Sequence, residues 1–216
     1  MQFDFEALRA LIRDKLRSVY REVVANEATG GLYAVFIRTV DTGEILTATC
    51  NSEANLRDQY GDDPPAPDDE FKFPEYCNER WNDAEWLEEL IDCNDGSLQL
   101  HDTLEEFCAE FADDAEGFGG AAYAAIILAL GDLDEEGLFG SGSVRESVTL
   151  YCGSVDGDPG WLHVESARRL NSAANAARFA KEWELALGLE PEEPSGDQYD
   201  SFLRWIDDDI DDYHED

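Results

Sequence analysis

Apolar side chains near the start of the chain recur every three or four residues, which is the spacing of one face of an amphipathic helix. The apolar positions of this stripe are Leu8, Leu11, Ile12, Leu16, Val19, Tyr20 and Val23. Gly30 and Gly31 end the helical pattern, and the continuous apolar run 32–37 that follows is typical of a central strand. The turn sequence 41–43 then leads into a second strand-like run at 44–49, so the pattern predicts a hairpin.

The segment 61–70 places three prolines among acidic residues, and this composition predicts a mobile loop. A third strand is predicted over 71–76. Helical spacing then predicts a short acidic helix near Trp81 and Trp86, followed by a further helix that breaks at Gly117, Gly119 and Gly120. The apolar run 121–130 predicts a buried helix beyond that break, with the glycines permitting a bend or a close helix approach.

The last third of the chain contains one strand-like segment and two helical ones. Alternation over 148–152 predicts a strand, and Asn171 or Ser172 is placed to cap the alanine-rich helix that carries Phe179 and Trp183. After the break at 191–194, an apolar stripe predicts a final helix. The fold class is therefore predicted as α+β, with a small, mostly antiparallel sheet packed against several helices. We expect one domain over 1–190 and an acidic helix or tail over 191–216, packed on that domain or extending from it.

Negative charge is the feature of the composition that most affects the functional expectation. The chain has 51 Asp and Glu against 15 Lys and Arg, a formal net charge of -36 over 216 residues. The segment 81–144 holds seventeen acids and no Lys or Arg, and the segment 182–216 holds fourteen acids and one Arg. If these two blocks lie close together in the fold, they create a surface potential of several kT.

This charge predicts the classes of partner that the protein binds or repels. Phosphates and anionic lipid headgroups are repelled by such a field, so we expect no direct nucleic acid binding and no membrane binding. The start of the chain lacks the pattern of a secretory signal, and the longest apolar run is too short for a bilayer span, so a cytoplasmic location is predicted. Five cysteines without a CxxC pair favour free, reduced thiols.

Sequence motifs for catalysis or for cofactor binding are not found. The glycines at 117–120 do not follow a strand, as a phosphate-binding loop requires, and the stretch 92–96 lacks the glycine position and closing Glu of a calcium loop. His101, His163 and His214 have no neighbouring nucleophile or second ligand at metal-site spacing. We therefore expect no enzymatic activity, no cofactor and no specific metal site.

Several stretches of the chain resemble a bacterial family of domains of unknown function, number 4303. The resemblance is carried in the first half of the chain by residues 32–37, residues 51–53 before Leu56, and Arg80-Trp81 with Trp86. In the second half it is carried by the segment 133–140, the strand 148–152 leading toward Asp156, and Asn171. The resemblance covers roughly residues 5–185, and this chain departs from it by its acidic tail and acid-rich middle. Small acidic domains of this kind occur as immunity proteins beside secreted bacterial toxins, so the resemblance implies an inhibitor of a cognate basic toxin.

The main hypothesis is thus an immunity-type protein that binds a cationic toxin domain, nuclease-like or otherwise antibacterial, through its acidic middle and tail. The predicted partner-binding residues are Trp81, Trp86, Glu88, Glu89, Asp92, Asp95, Asp113, Asp114, Glu116, Asp207, Asp208, Asp209, Asp211 and Asp212. The alternative for the two tryptophans is that both lie in the core. Alternatives for the whole chain are an acidic housekeeping or halophile-adapted domain, a DNA mimic that sequesters a nucleic-acid-binding protein, and an acidic surface with no dedicated partner.

Overall fold

The computed structural model describes residues 4–25, 31–39, 45–61, 64–81, 115–154, 160–188 and 194–211. The strands are β1 (Leu32–Thr39), β2 (Ile45–Ser52) and β3 (Thr149–Ser154). The helices are α1 (Phe5–Ala25), α2 (Glu53–Tyr60), α3 (Lys72–Trp81), α4 (Ala115–Glu135), α5 (Ser143–Ser147), α6 (Trp161–Leu170), α7 (Ala173–Leu187) and α8 (Asp197–Asp211).

Helix α1 forms where the apolar stripe predicts it. Leu8, Ile12, Leu16 and Tyr20 are all fully buried, because their spacing places them on the face that packs against α4. Asp4 begins the helix by accepting a hydrogen bond at Oδ1 from the backbone N–H of Ala7, at 3.0 Å. The amphipathic opening helix is confirmed.

The three strands form one sheet in the order β2-β1-β3. Strand β1 runs antiparallel to β2, with Val35 opposite Cys50, and parallel to β3, with Val35 opposite Leu150. The predicted α+β class and the β1–β2 hairpin pairing are confirmed, but the sheet is mixed instead of mostly antiparallel. A parallel strand needs a crossover connection, and α4 lies within the long segment that leads from β2 to β3.

Helices cover both faces of the sheet. Val35 and Ile37 of β1 belong to a core shared with α1, α4, α6 and α8. Tyr33 and Phe36 point into a second core shared with α2, α3 and α7. The sheet is therefore the middle layer of the domain, which explains the continuous apolar run of β1.

The predicted strand over 71–76 is wrong, because Lys72–Trp81 is helix α3. Asp69 caps this helix through Oδ1, which accepts hydrogen bonds from the backbone N–H groups of Phe71 and Lys72. Tyr76, Cys77 and Trp81 are then buried at helical spacing. The preceding residues 64–70 form the loop that the prolines predict.

The predicted break at the glycines is also wrong, because α4 runs without interruption from Ala115 to Glu135. Glycine lowers helix propensity, but burial of the whole segment against α1 and α8 outweighs that cost. By length and composition, residues 117–135 would also suffice to cross a membrane. However, 78% of the most apolar stretch of this helix is buried inside the protein. Helix α4 is a core helix in this fold.

The strand at 148–152 and the alanine-rich helix are confirmed as β3 and α7. Ser172 is the N-cap of α7 and accepts a hydrogen bond from the backbone N–H of Asn175. Asn171 has a different role, since its amide pairs with the backbone of Leu150 in β3. The turn predicted at 41–43 and the helical segments predicted between Trp86 and Phe111 lie outside the described residues.

Candidate functional site

Apart from Trp81, the acidic middle block is described from Ala115 onward, and there Asp132, Asp134 and Glu136 are paired with arginines, whereas Glu135 is exposed. Asp132 lies 2.7 Å from Arg9 Nη2 and 3.5 Å from Arg13 Nη1, both on α1. The Asp132 side chain is largely buried, and its two oxygens accept a bidentate pair of hydrogen bonds from Arg9. This carboxylate therefore links α4 to α1, and both of its oxygens already have arginine partners within the protein.

Two further acids at the end of α4 have internal partners. Asp134 Oδ1 lies 2.5 Å from Arg145 Nε, and Glu136 Oε1 lies 2.5 Å from Arg17 Nη2. The hydrogen bond from Arg17 lowers the pKa of Glu136, so this carboxylate is charged at neutral pH. Three of the four carboxylates whose side chains are described at this end of the middle block are thus paired with arginine.

The C-terminal helix α8 has a different arrangement of charge. Asp197, Asp200 and Asp207 are exposed, and their spacing of three and seven residues places them on one side of the helix. Arg204 is exposed on the same side. In the part of α8 whose side chains are described, this outward face therefore carries three carboxylates and one guanidinium. We call these four residues the α8 face.

The opposite side of α8 fixes the helix to the protein. Phe202 and Ile206 are buried against the core, and Ser201 Oγ donates a hydrogen bond to the carbonyl of Gly117 at 2.7 Å. A Cβ atom at Gly120 would lie 2.5 Å from the Gln198 carbonyl oxygen, so only glycine permits this close approach of the two backbones. The close helix approach predicted for this glycine cluster is thus what Gly120 provides.

Aromatic contacts and one ion pair complete the docking of α8. The Trp205 ring stacks on Phe5 of α1 at a centroid distance of 4.8 Å. Arg169 of α6 lies 3.3 Å from Asp207 Oδ1 and also places its guanidinium over the Phe202 ring. The α8 face is therefore held in a fixed position by contacts on two other helices.

Of the predicted partner-binding residues, the structure describes few. Asp207 is exposed on the α8 face. Asp208, Asp209 and Asp211 belong to α8 and Glu116 to α4, but their side chains are not described. The others apart from Trp81 lie outside the described residues: Trp86, Glu88, Glu89, Asp92, Asp95, Asp113, Asp114 and Asp212.

Trp81 is placed in the core, which is the alternative expected for it. Its side chain is 0% exposed, and its ring meets those of Tyr33 and Phe179 edge to face. Its indole Nε1 donates a hydrogen bond to Glu182 Oε2 at 2.7 Å. Trp81 is therefore withdrawn as a direct contact for a partner, because no part of its ring reaches the surface of this structure.

A buried charge cluster centred on Arg80 was missed by sequence reasoning. Arg80 Nη2 lies 3.0 Å from Glu53 Oε1, and Nη1 donates a hydrogen bond to the Tyr76 hydroxyl at 2.8 Å. The guanidinium also lies over the Tyr33 ring at 4.2 Å, with its Nε 3.6 Å from Glu182. Burial opposes the charge, but these neighbours outweigh it and raise the pKa of Arg80. This cluster joins α2, α3 and α7. Because Glu53, Arg80 and Glu182 are distant in sequence, no short-range motif predicts it.

His163 and the described cysteines lie in the interior. Burial lowers the pKa of His163 to about 3, and its ring stacks on Trp183 at 4.3 Å. Burial also raises the pKa of Cys77 and of Cys152 to about 12, so both are neutral thiols at pH 7. Within the described ranges, no group of three or more His, Cys, Asp or Glu side chains is arranged to hold a metal ion.

Comparison with known proteins places most of this fold in one family. The family described as Domain of unknown function (DUF4303) matches residues 12–172, which run from α1 to the start of α7. No curated protein and no solved structure matches the chain. Helix α8 with its acidic face lies beyond the matched residues. Since the match covers well over half of its length, the chain belongs to the DUF4303 family.

Proposed function

We propose that this protein is an acidic, immunity-type inhibitor that binds a cationic protein partner through the α8 face. The observation that carries the proposal is the contrast between two acidic regions. Asp132, Asp134 and Glu136 are paired with arginines of α1 and α5, whereas Asp197 and Asp200 project from a firmly docked helix. Exposed carboxylates on a rigid helix are available to a partner, and Asp207 keeps 55% of its side chain exposed although it also contacts Arg169.

The electrostatic consequences of this arrangement favour rapid binding of a basic surface. A net charge of -36 attracts a cationic partner from a distance, and complementary charge raises association rates by about 10- to 1000-fold. Because α8 is fixed by Phe202, Ile206 and Ser201, its carboxylates keep their spacing before the partner arrives. A pre-organised surface loses little conformational freedom on binding.

The partner proposed is a basic toxin domain, such as one that cuts nucleic acid. Toxins of this class bind phosphates with basic residues, so an anionic surface competes for the same site and excludes the substrate. An inhibitor of this kind acts by occupying that surface, without catalysis and without a cofactor. It functions in the cytoplasm, where the toxin would otherwise damage the producing cell.

The test uses the purified full chain and the purified product of the adjacent gene, with affinity measured by titration calorimetry between 50 and 500 mM NaCl. One variant carries Asp197→Asn, Asp200→Asn and Asp207→Asn. The matched control carries Asp58→Asn, Glu135→Gln and Glu184→Gln, which removes the same charge from exposed positions on α2, α4 and α7. Both variants change the net charge equally, so only the location of the charge differs.

We expect the α8 variant to weaken binding by at least 10-fold and the control by less than 3-fold, since charges at a contact outweigh the general field. Equal losses in both variants would mean that net charge alone matters and that the α8 face is not the contact. No binding at any salt concentration, together with a large rise in melting temperature in multimolar NaCl, would favour the salt-adapted alternative instead.

A further inference from the structure

One large aromatic side chain projects from the surface on the other side of the sheet from α8. Phe71 is 86% exposed and immediately precedes α3. Among the residues that the structure describes, the other large apolar side chain with high exposure is Val144, at 60%. Burial of an aromatic side chain stabilises a fold, as it does for the neighbouring Phe73 and Tyr76. The exposed Phe71 ring does not contribute this stabilisation.

The backbone around Phe71 is held in place by hydrogen bonds. Asp69 Oδ1 accepts from the N–H of Phe71 at 3.2 Å and from the N–H of Lys72 at 3.0 Å. The N–H of Asp69 in turn donates to the carbonyl of Ala66, and the N–H of Phe73 donates to the carbonyl of Asp69. The loop therefore fixes the point from which the Phe71 ring projects, which reduces the ordering cost of inserting that ring into a partner.

The aromatic residues that follow Phe71 in α3 pack within the protein. Phe73 packs against Tyr76 with ring centroids 6.2 Å apart, and Tyr76 in turn packs edge to face on Tyr60 of α2. These three rings pack on one another where α2 meets α3, whereas the Phe71 ring is exposed.

Exposed charges near Phe71 in the sequence identify the class of partner. Asp68, Glu70 and Glu75 are exposed, against one exposed base, Lys72. A second copy of this chain would bring like charges together, on a protein with a net charge of -36. A basic surface with an apolar pocket complements both the ring and its acidic surroundings.

We infer that Phe71 is an aromatic anchor that inserts into an apolar pocket on a cationic protein. The inference rests on the proposed function for the charge of that protein, but it assigns a separate contact surface. Phe71 immediately precedes α3, which packs on the opposite side of the sheet from α8, so Phe71 and the α8 face are separate surfaces.

The experiment is site-specific photocrosslinking of the full chain in the cells that encode it. The photoreactive residue p-benzoylphenylalanine replaces Phe71 in one variant and Val144 in the control variant, and mass spectrometry identifies the adducts. We expect the Phe71 position, and not the Val144 position, to give an adduct with a protein of basic isoelectric point. An adduct with a second copy of this chain, or no adduct above the Val144 control, would overturn the inference.

The crosslinked protein is then purified and its affinity is measured for the wild-type chain, for Phe71→Ala and for Phe71→Leu. We expect Phe71→Ala to weaken binding by at least 10-fold and Phe71→Leu by less, with melting temperatures unchanged because the ring is exposed. A change below 2-fold in Phe71→Ala would also overturn the inference. The variant of Asp197, Asp200 and Asp207 is measured against the same protein, so loss of the α8 contact and loss of the Phe71 contact are distinguished.

Discussion

Replacing Gly120 by Ala tests whether the close contact between α4 and α8 holds the acidic helix in place. The added Cβ would lie 2.5 Å from the Gln198 carbonyl oxygen and 2.7 Å from both Phe202 N and Ser201 Cβ, whereas ordinary contacts begin at 3.4 Å. Two of these three atoms belong to the backbone, so a side-chain rotation cannot relieve the overlap. Helix α8 must therefore move away by about 1 Å.

The expected cost follows from three contributions. Overpacking of this kind costs about 1–3 kcal/mol, and strain or loss of the hydrogen bond from Ser201 to Gly117 adds about 1 kcal/mol. The better helix propensity of Ala returns about 0.5–1 kcal/mol. We therefore expect Gly120→Ala to lower the free energy of unfolding by about 1–3.5 kcal/mol, a fall in melting temperature of about 2–14 °C for a chain of this length.

Gly131 provides a matched control on the same helix. A Cβ at Gly131 meets no atom within 4 Å, so Gly131→Ala gains helix propensity without any overlap. We expect it to raise the free energy of unfolding by about 0.5–1 kcal/mol. Urea and thermal unfolding of the two variants give the comparison. Equal stability of the two would refute the close approach of α4 and α8, because helix propensity alone predicts the same result for both.

Three further variants test the interior. Burial lowers the pKa of His163 to about 3, so its contribution to stability is fully present above about pH 6.5 and is lost as the pH falls toward 3. His163→Phe should therefore reduce the slope of unfolding free energy against pH by up to about 1.4 kcal/mol per unit between pH 6 and 4, and an unchanged slope in urea titrations would contradict this. Arg80→Met should cost about 3–5 kcal/mol in urea unfolding because it removes the buried cation that pairs with Glu53 and Glu182, whereas Arg80→Lys should cost less. Wild-type stability of Arg80→Met would show that the cluster is not stabilising. Ser172→Ala should cost about 1 kcal/mol through loss of the α7 cap, and no change in the urea midpoint would mean that water replaces that cap.

Local sequence patterns were sufficient for the elements whose burial follows a single period. The stripe of Leu8, Ile12 and Leu16 predicts α1 because the helix buries one face, and that face appears in the sequence as apolar residues at helical spacing. The apolar run of β1 predicts a central strand, alternation over 148–152 predicts β3, and Ser172 indicates the start of α7. The acidic C-terminal segment and the family resemblance could also be identified from the residues alone.

Local patterns failed where the environment came from distant residues. The segment 72–81 contains aromatic residues that suit either a strand or a helix, and its conformation depends on the cap at Asp69 and on the layer against which Tyr76 and Trp81 pack. The glycines in α4 lower helix propensity, yet burial against two other helices outweighs that loss.

The division between the two acidic regions was likewise decided by the fold. The sequence by itself determined the amount and sign of the charge, because composition needs no coordinates. Only the tertiary structure placed Asp132 and Glu136 beside arginines distant in the chain, and left Asp197 and Asp200 facing solvent. Ion pairing depends on distances between side chains, and for residues more than a hundred positions apart those distances are set by helix packing.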